Sequence, residues 1–217
     1  MKIRYLGHAA FQIIGSKNVV IDPFLTGNPM AADLWGEPDL ILVTHAHGDH
    51  MGDAVELSKR FNAPIVCMYD IAQHLRGVKV YGMNYGPAKI EGIDVIMVPA
   101  WHSSSMNGQE IGNAAGYIVK MDGKTVYHAG DTFVFGDMAL FSELYGPIDV
   151  ALLPIGGYFT MGPREAAKAV ELLKPEIVVP MHYNTFPPIR QNPEEFKQLV
   201  GEKAKVEILQ PGGELNI

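Results

Sequence analysis

Cysteine is nearly absent from the sequence: Cys67 is the only one among 217 residues. A single cysteine cannot form an internal disulfide, and it cannot supply a cysteine-based zinc framework. A secreted disulfide scaffold is therefore excluded. Any transition metal would have to be bound by histidine and carboxylate side chains.

Long apolar runs are also missing. No segment approaches the roughly 18 uninterrupted apolar residues that a membrane-spanning helix needs. Residues 1–14 begin with charged side chains but contain no long apolar core and no small-residue cleavage pattern, so we expect no signal peptide. The expectation is a soluble, cytoplasmic protein that does not associate with membranes.

Positive charge is scarce: 17 Lys and Arg residues stand against 24 Asp and Glu residues, giving a formal net charge of −7. Phosphate groups are bound mostly by Lys and Arg, so we expect no general affinity for nucleic acid. The hydrophobic share of 47% permits a sizeable core and excludes disorder. The length fits one domain or at most two small ones. Because we see no linker, we expect one domain over residues 1–217.

Short apolar strands alternate with a few amphipathic helices along the chain. We expect strands over residues 2–6, 10–14, 18–22, 39–44, 64–68, 93–99, 115–121, 125–128, 150–155, 176–181 and 206–209, and helices over residues 53–61, 136–145, 164–174 and 193–202. Two strand-rich blocks, each with its own helices, indicate either a layered αββα arrangement or a mixed α/β sheet. Periodicity alone does not choose between them.

A dense histidine cluster, His45-Ala-His47-Gly-Asp49-His50, directly follows the apolar run Asp39–Thr44. Residues two apart in an extended segment share a side, so the first two histidines can point together. The intervening glycine lets the chain bend, which brings the last two side chains towards the same point. Four possible ligands at a strand end suit metal binding far better than packing. A polar surface loop that happens to be rich in histidine is the alternative.

Three further residues each follow an apolar strand: His102, Asp131 and His182. Taken singly, each would more often be a loop residue or a capping carboxylate. Side chains at the ends of separate strands can converge, and together with the histidine cluster they form a plausible ligand set.

The ordered series His45-x-His47-x-Asp49-His50, then His102, Asp131 and His182, resembles the metallo-β-lactamase superfamily. Residues 5–11 (YLGHAAF), 22–24 (DPF) and 128–132 (HAGDT) resemble one branch of it more narrowly. That branch comprises bacterial and archaeal metal-dependent hydrolases related to ascorbate-6-phosphate lactonase and N-acyl phosphatidylethanolamine phospholipase D. The resemblance implies a four-layer αββα sandwich, an α/β (α+β) fold, with a two-metal site between its sheets.

The resemblance also implies a role for each matched residue. The first metal ion would be bound by His45, His47 and His102. The second would be bound by Asp49, His50 and His182. Asp131 would bridge the two ions, and Asp22 would fix a ligand histidine rather than bind metal. No expected ligand is missing from the sequence.

The implied chemistry is hydrolysis by a hydroxide held between two divalent ions, because metal-bound water is acidic enough to ionise near neutral pH. We expect zinc first, with manganese, iron or nickel as alternatives. Two dications outweigh Asp49, Asp131 and a bridging hydroxide in charge, so an anionic small-molecule substrate is expected. The bond attacked would belong to an ester, a lactone or a phosphoester, and Asp49 would orient the nucleophile.

Other residues carry weaker expectations. His8 is counted with Asp49 as a candidate catalytic residue, as a proton donor or substrate contact, and a hydrogen-bonded structural histidine is the equal alternative. His128, within an apolar strand, reads as a core histidine or a support for a ligand. Candidate substrate contacts on loops are Arg190, Tyr158 and Asn184.

Three alternative functions remain open at this point. A metal-dependent nuclease or phosphodiesterase is disfavoured by the acidity of the chain and by the lack of an inserted domain. Iron-based redox use would normally replace a ligand histidine with a carboxylate, and the sequence shows no such change. A non-catalytic, metal-stabilised binding protein is the alternative outside enzymes. Assembly into a homo-oligomer is expected by analogy only.

Overall fold

Two seven-stranded β-sheets form the centre of the computed structural model, which describes residues 1–217. The strands in chain order are β1 (Lys2–Gly7), β2 (Ala10–Ile14), β3 (Asn18–Ile21), β4 (Leu40–Leu42), β5 (Ile65–Met68), β6 (Val80–Met83), β7 (Gly86–Ile90), β8 (Ile93–Pro99), β9 (Ser105–Met106), β10 (Gln109–Glu110), β11 (Ala115–Met121), β12 (Lys124–His128), β13 (Val150–Pro154), β14 (Ile177–Met181), β15 (Lys205–Val206) and β16 (Glu214–Asn216).

The two sheets repeat one topology. The first has the order β16-β1-β2-β3-β4-β5-β6 and the second β15-β14-β13-β12-β11-β8-β7, while β9 and β10 form a separate hairpin. In the first sheet, β16, β1, β2 and β3 pair antiparallel and β3 to β6 pair parallel. In the second, β7, β8, β11 and β12 pair antiparallel and β12 to β15 pair parallel. No repeat is visible in the sequence, so the similarity lies in the pairing pattern.

Six α-helices accompany the two sheets. They are α1 (Gly48–Met51), α2 (Ala54–Phe61), α3 (Tyr69–Ala72), α4 (Met138–Tyr145), α5 (Pro163–Leu173) and α6 (Pro193–Val200). Helices α2 and α3 contact the first sheet, α5 contacts β13 of the second, and α4 and α6 pack on α5. The order helix, sheet, sheet, helix is the αββα arrangement; each sheet is mixed, but the alternative of one mixed sheet is wrong, because there are two seven-stranded sheets. None of these helices combines the length and the apolar character needed to cross a membrane.

Most predicted elements are present, with ends displaced by a few residues. Strands β6 and β7 were not predicted. Their residues are mostly half-buried or exposed, and Gly82, Gly86 and Pro87 interrupt their apolar pattern. The strand expected over residues 206–209 ends at Val206. Strand β16 was also missed: after the glycines at 212 and 213 the chain returns to pair with β1 in the first sheet.

A buried tyrosine joins the two sheets. Tyr117, on β11, donates its hydroxyl proton to the carbonyl oxygens of Val43 (2.9 Å) and Val66 (3.2 Å), both on segments of the first sheet. The Val66 oxygen also accepts from the Val43 amide. The Tyr117 hydroxyl is the only hydrogen-bond donor to the Val43 oxygen. Without it, this carbonyl group would be buried without a partner.

Tyr117→Phe is expected to lower the free energy of unfolding by about 1–2 kcal/mol, because it leaves that carbonyl without a donor. Urea denaturation followed by circular dichroism measures the loss. Tyr127→Phe is the matched control, since the Tyr127 hydroxyl is buried without any hydrogen-bond partner and its removal should cost nothing. Equal effects of the two substitutions would contradict the bridging role of Tyr117.

Candidate metal centre

The histidine cluster occupies the turn from β4 into α1. His45 and His47 follow the strand, while Asp49 and His50 lie in the single turn of α1. The turn ends at Gly52, with φ 41°, where a Cβ atom would lie 2.4 Å from the carbonyl oxygen of Pro23. Only glycine fits this position, so the close approach of α1 to the loop after β3 depends on it.

All the predicted ligands lie at one edge of the two sheets. Strands β1, β3 and β4 of the first sheet run in the same direction, as do β8, β12 and β14 of the second, and each site residue follows the carboxyl end of one of them. Ligand sites in α/β folds are found at such strand ends. The residues brought together are His8, Asp22, His45, His47, Asp49, His50, His102, Asp131 and His182.

Three groups of possible ligand atoms overlap at this edge. One group contains His45, His47 and His102, and another contains His8, Asp49, His50 and His182. The third, His45, His50 and Asp131, takes one histidine from each of the other two. Within each group the nitrogen and oxygen atoms lie within 4.8 Å of one another. Each group is therefore compact enough to surround one cation.

The carboxylate of Asp131 lies between the first two groups. Its Oδ2 atom is 3.5 Å from His102 Nε2 and 3.1 Å from His182 Nε2, and its Oδ1 atom is 3.3 Å from His50 Nε2. One side chain thus reaches a histidine of each group. This is the placement that a bridging ligand requires.

Several buried atoms of the site have no partner in hydrogen-bonding geometry, even where an oppositely charged group lies 3.1–3.3 Å away. They are His50 Nε2, Asp131 Oδ1, and both ring nitrogens of His182. Each buried polar atom without a partner lowers the stability of the fold by about 1–3 kcal/mol, so a cluster of such atoms indicates a ligand that pairs with them. Imidazole nitrogens and carboxylate oxygens are ligands suited to zinc and related divalent ions. The residues present therefore fit bound metal.

Asp22 and Thr44 fix the ring orientation of two candidate ligands. Asp22 accepts hydrogen bonds from the Thr44 amide (2.8 Å), the Thr44 hydroxyl (2.6 Å) and His50 Nδ1 (2.7 Å). Because the Thr44 hydroxyl donates to Asp22, its oxygen accepts from His45 Nδ1 at 3.0 Å. Both histidines therefore donate through Nδ1, which turns Nε2 towards the centre, where it can bind a metal ion once it carries no proton.

His8 is held between Thr185 and Asp49. Its Nδ1 atom is 2.8 Å from Thr185 Oγ1, and its Nε2 atom is 3.1 Å from Asp49 Oδ2. Burial, together with the nearby His182, lowers the pKa of His8 to about 4, so the ring is neutral at neutral pH. A carboxylate only accepts, so His8 donates to Asp49 through Nε2–H and accepts the Thr185 hydroxyl proton at Nδ1.

The acidic residues of the site are ionised. Burial tends to raise the pKa of Asp49, but the hydrogen bond from His8 and the charge of His50 outweigh it and hold that pKa below its usual range. Burial likewise opposes ionisation of Asp131, and the nearby His182 and His50 hold its pKa well below its usual range. Burial is also the main reason why the pKa values of His45, His47 and His102 are lowered, which leaves these rings neutral and able to bind metal. Burial acts in the same direction on His50, but the carboxylates of Asp131 and Asp22 outweigh it and hold the pKa of His50 well above its usual range, so this ring must lose a proton to bind metal.

A cavity of about 330 Å³ opens from these residues to solvent. It is lined by His47, Asp49, His102, Ser103, Asp131, Phe159 and His182. The side chain of Asp49 is 33% exposed, whereas that of Asp131 is 3% exposed. A small molecule can thus reach the centre from one side.

The three predicted substrate contacts do not line this cavity. Tyr158 is exposed, and its ring lies edge-on to Phe159 at 4.6 Å between centroids. The Asn184 side chain accepts from the Gln191 amide and so shapes its own loop. Arg190 is exposed and forms no ion pair.

His128 supports the backbone beside His8 and Asp131. Its Nε2 atom donates to the Ala9 carbonyl, and its Nδ1 atom accepts from the Gly130 amide.

Sequence reasoning missed Thr44, Thr185 and Phe159. Thr44 carried a signal, since it directly precedes the histidine cluster at a strand end. Thr185 lies 177 residues from His8, and no local pattern links them.

Three residues of the site, His8, Asp22 and His182, have positive φ values of 58°, 47° and 53°. Such strained backbone in non-glycine residues is concentrated at functional sites.

The comparisons with known proteins agree with this geometry. The family described as "Beta-lactamase superfamily domain" matches residues 2–182. The chain is 68% identical over the full length of both proteins to a UPF0173 metal-dependent hydrolase from Thermococcus kodakarensis. It is 54% identical, over 98% of each, to another from Methanopyrus kandleri. Among solved structures, Igni18, a metallo hydrolase from Ignicoccus hospitalis, matches with a TM-score of 0.91 at 43% identity, over 99% of this chain and 97% of that one.

Proposed function

Since the chain belongs to the β-lactamase superfamily and is a metal-dependent hydrolase, we propose that it holds two divalent metal ions and hydrolyses an ester, lactone or phosphoester of a small molecule. The metallo-β-lactamase fold expected from the sequence is confirmed. The proposal concerns the number and identity of the ions, the bond that is cleaved and the roles of the residues.

One observation carries the proposal: two adjacent groups of ligand atoms share a buried carboxylate and face an open cavity. His45, His47 and His102 would hold one ion, and Asp49, His50 and His182 the other. Asp131 would be shared, because its two oxygens reach both groups. Zinc is the first choice for this set of imidazole and carboxylate ligands, with manganese, iron or nickel as alternatives.

Two bound ions would supply a nucleophile at neutral pH, by acidifying water, and a Lewis acid for the substrate oxygen. The chain's own residues would place the reactants. Asp49, ionised and reached by solvent, would orient the attacking water. His8 would position Asp49 through its Nε2–H bond, and Thr185 would fix the His8 ring.

The open cavity supports catalysis over a purely structural use of metal. Structural zinc sites are closed by protein ligands, whereas catalytic sites keep a position open to water or substrate. Here Asp49 is one-third exposed and the cavity reaches five candidate ligands. A non-catalytic binding protein would not need that access.

The structure also bears on the remaining expectations. A continuous apolar core includes strands of both sheets, which supports treating residues 1–217 as one domain. The cavity is of a size that takes small molecules, at the lower end of the usual range, and this favours a small-molecule substrate over nucleic acid. A homo-oligomer and a cytoplasmic location stay predictions.

Metal counting tests the proposal. Protein stripped with a chelator and reloaded with zinc or manganese is expected to bind two ions per chain and to hydrolyse members of a panel of esters, lactones and phosphodiesters. The stripped protein should be inactive. Plasma mass spectrometry gives the metal content, and product release gives the activity.

His182→Ala should lower the metal count by about one ion per chain and weaken metal binding by at least the ~10-fold that follows loss of a supporting residue. His74→Ala is the matched control, because His74 is exposed and bonds only the Asp70 carbonyl. Fewer than one ion per chain under every loading condition would contradict the binuclear site. Two ions without activity across the panel would favour the binding protein.

A further inference from the structure

One exposed aromatic side chain lines the cavity of the candidate metal centre, and two others lie against residues of the centre or its rim. Phe159 lines the cavity although 54% of its surface is exposed, and the 82% exposed Tyr158 lies against it. Phe186, 37% exposed, lies 5.5 Å from the His8 ring and 6.4 Å from Phe24, measured between centroids. Apolar surface therefore borders the place where a substrate would react.

The loops that carry these aromatic residues are fixed by hydrogen bonds. The buried Thr132 accepts the Trp101 amide on its hydroxyl (2.9 Å) and the Met161 amide on its carbonyl (3.1 Å). The Asp53 carboxylate accepts the amides of Leu25 and Thr26, directly after Phe24. Exposed apolar side chains grouped on rigid loops are typical of a binding surface.

Basic side chains are missing from the same loops. The sequence has no Lys or Arg between Lys17 and Lys59, between Lys89 and Lys120, or between Lys124 and Arg164. The loop after His182 contains Arg190 alone, and the cavity lining contains none. Apart from bound metal and Arg190, nothing in these loops would attract a negative charge on a substrate.

We propose that the substrate of this site carries a neutral, apolar group, an aryl ring or a short alkyl chain, beside the bond that is cleaved. The inference rests on the proposed function, because the candidate metal ligands place the scissile group. The apolar group would pack against Phe159 and Phe186. The negative charge expected on the substrate from the charge of the ions would then be confined to the substrate atoms that face the metals.

The occupant of this aromatic surface is part of the small substrate and not a second protein chain. Phe159 lines the same cavity as Asp49 and His182, so a group that packs against its inner side lies beside the candidate metal ligands. Phe186 lies against His8, which bonds Asp49. The aromatic surface is therefore continuous with the place of reaction, as a substrate pocket requires.

Two hydroxamic acids test the inference by binding, independently of turnover. Phenylacetohydroxamic acid and the monohydroxamic acid of succinate present the same metal-binding group, with an apolar ring or a carboxylate on the tail. Calorimetric titration of zinc-loaded protein is expected to show at least about tenfold tighter binding of the phenyl compound. Phe159→Ala and Phe186→Ala should each weaken it by about three- to tenfold and leave the succinate compound unchanged.

Trp35→Ala is the matched control, since Trp35 is 55% exposed but lies beside Lys2 on β1, away from the cavity lining. It should change neither affinity. Equal binding of the two compounds, or a preference for the carboxylate tail that Arg190→Ala removes, would overturn the substrate class while leaving the metal site intact.

Failure of both compounds to bind zinc-loaded protein would overturn an open, substrate-accessible metal site, and the substrate class with it. The metal count of the same sample reports separately whether the ions are bound. A change of molecular mass by light scattering in Phe186→Ala, with unchanged hydroxamate binding, would assign that side chain to a contact between copies and also overturn the inference.

Discussion

Asp131→Ala is expected to remove both metal ions from the protein rather than one. Its carboxylate lies within 3.5 Å of histidines from both ligand groups, so its loss deprives each ion of a ligand. It also removes negative charge from a buried cluster of imidazoles. Metal content should fall from two ions per chain to less than one, and hydrolysis should fall by about a thousandfold or more, since one metal-activated nucleophile serves the whole reaction.

The measurement is plasma mass spectrometry on dialysed protein, combined with a zinc titration against a chelating dye. Asp137→Ala is the matched control: Asp137 lies six residues further on, is exposed, and its side chain makes no capping bond at the start of α4. Retention of one tightly bound ion in Asp131→Ala would mean that the carboxylate belongs to a single metal. Circular dichroism establishes that the variant is folded.

The expected effects differ between the Asp131 and His182 variants because of where the side chains lie. His182 follows β14 and belongs to one ligand group only. Asp131 follows β12, which pairs with β13 in the parallel half of the second sheet, and it reaches histidines of both groups. The number of ions lost therefore reports whether a ligand is shared.

The candidate ligand set could be predicted from the sequence because its residues carry a local signal. The cluster at positions 45–50 is dense, and each remaining candidate follows an apolar strand. In a sheet the ends of strands that run the same way lie at one edge, so strand ends in sequence become neighbours in space. The αββα fold followed from the resemblance, since the strand pattern alone also allowed a mixed sheet.

The rest of the site depends on contacts between distant parts of the chain. The pairing of His8 with Thr185, and the position of Phe186 against His8, bring together the two ends of the sequence. The same holds for β16, which pairs with β1 across more than 200 residues and has no periodic signal of its own. Local patterns predict elements and their ends, while such contacts are decided by how the sheets pack.

Asp49→Ala is expected to lower kcat by about 10²–10⁴-fold, the usual effect of removing a positioned acid or base. Asp49 is the acidic ligand candidate that solvent reaches, and it is ionised because of its hydrogen bond from His8 and the charge of His50. His8→Ala should lower kcat by about 10–100-fold, the range found for residues that orient a ligand. Thr185→Val, which removes only the hydroxyl, should have a smaller effect in the same direction.

The rates are measured at saturating zinc with the metal content of each variant determined in parallel, so that loss of metal is separated from loss of chemistry. Asp70→Ala is the matched control, because Asp70 lies in the first turn of the four-residue helix α3 as Asp49 does in α1, but on the surface. Near-normal kcat in Asp49→Ala with two ions bound would contradict its role in orienting water. If Asp49→Ala loses one ion at limiting zinc but reaches a normal rate at saturating zinc, Asp49 is a metal ligand only. His8→Ala and Thr185→Val should then also leave the rate at saturating zinc unchanged.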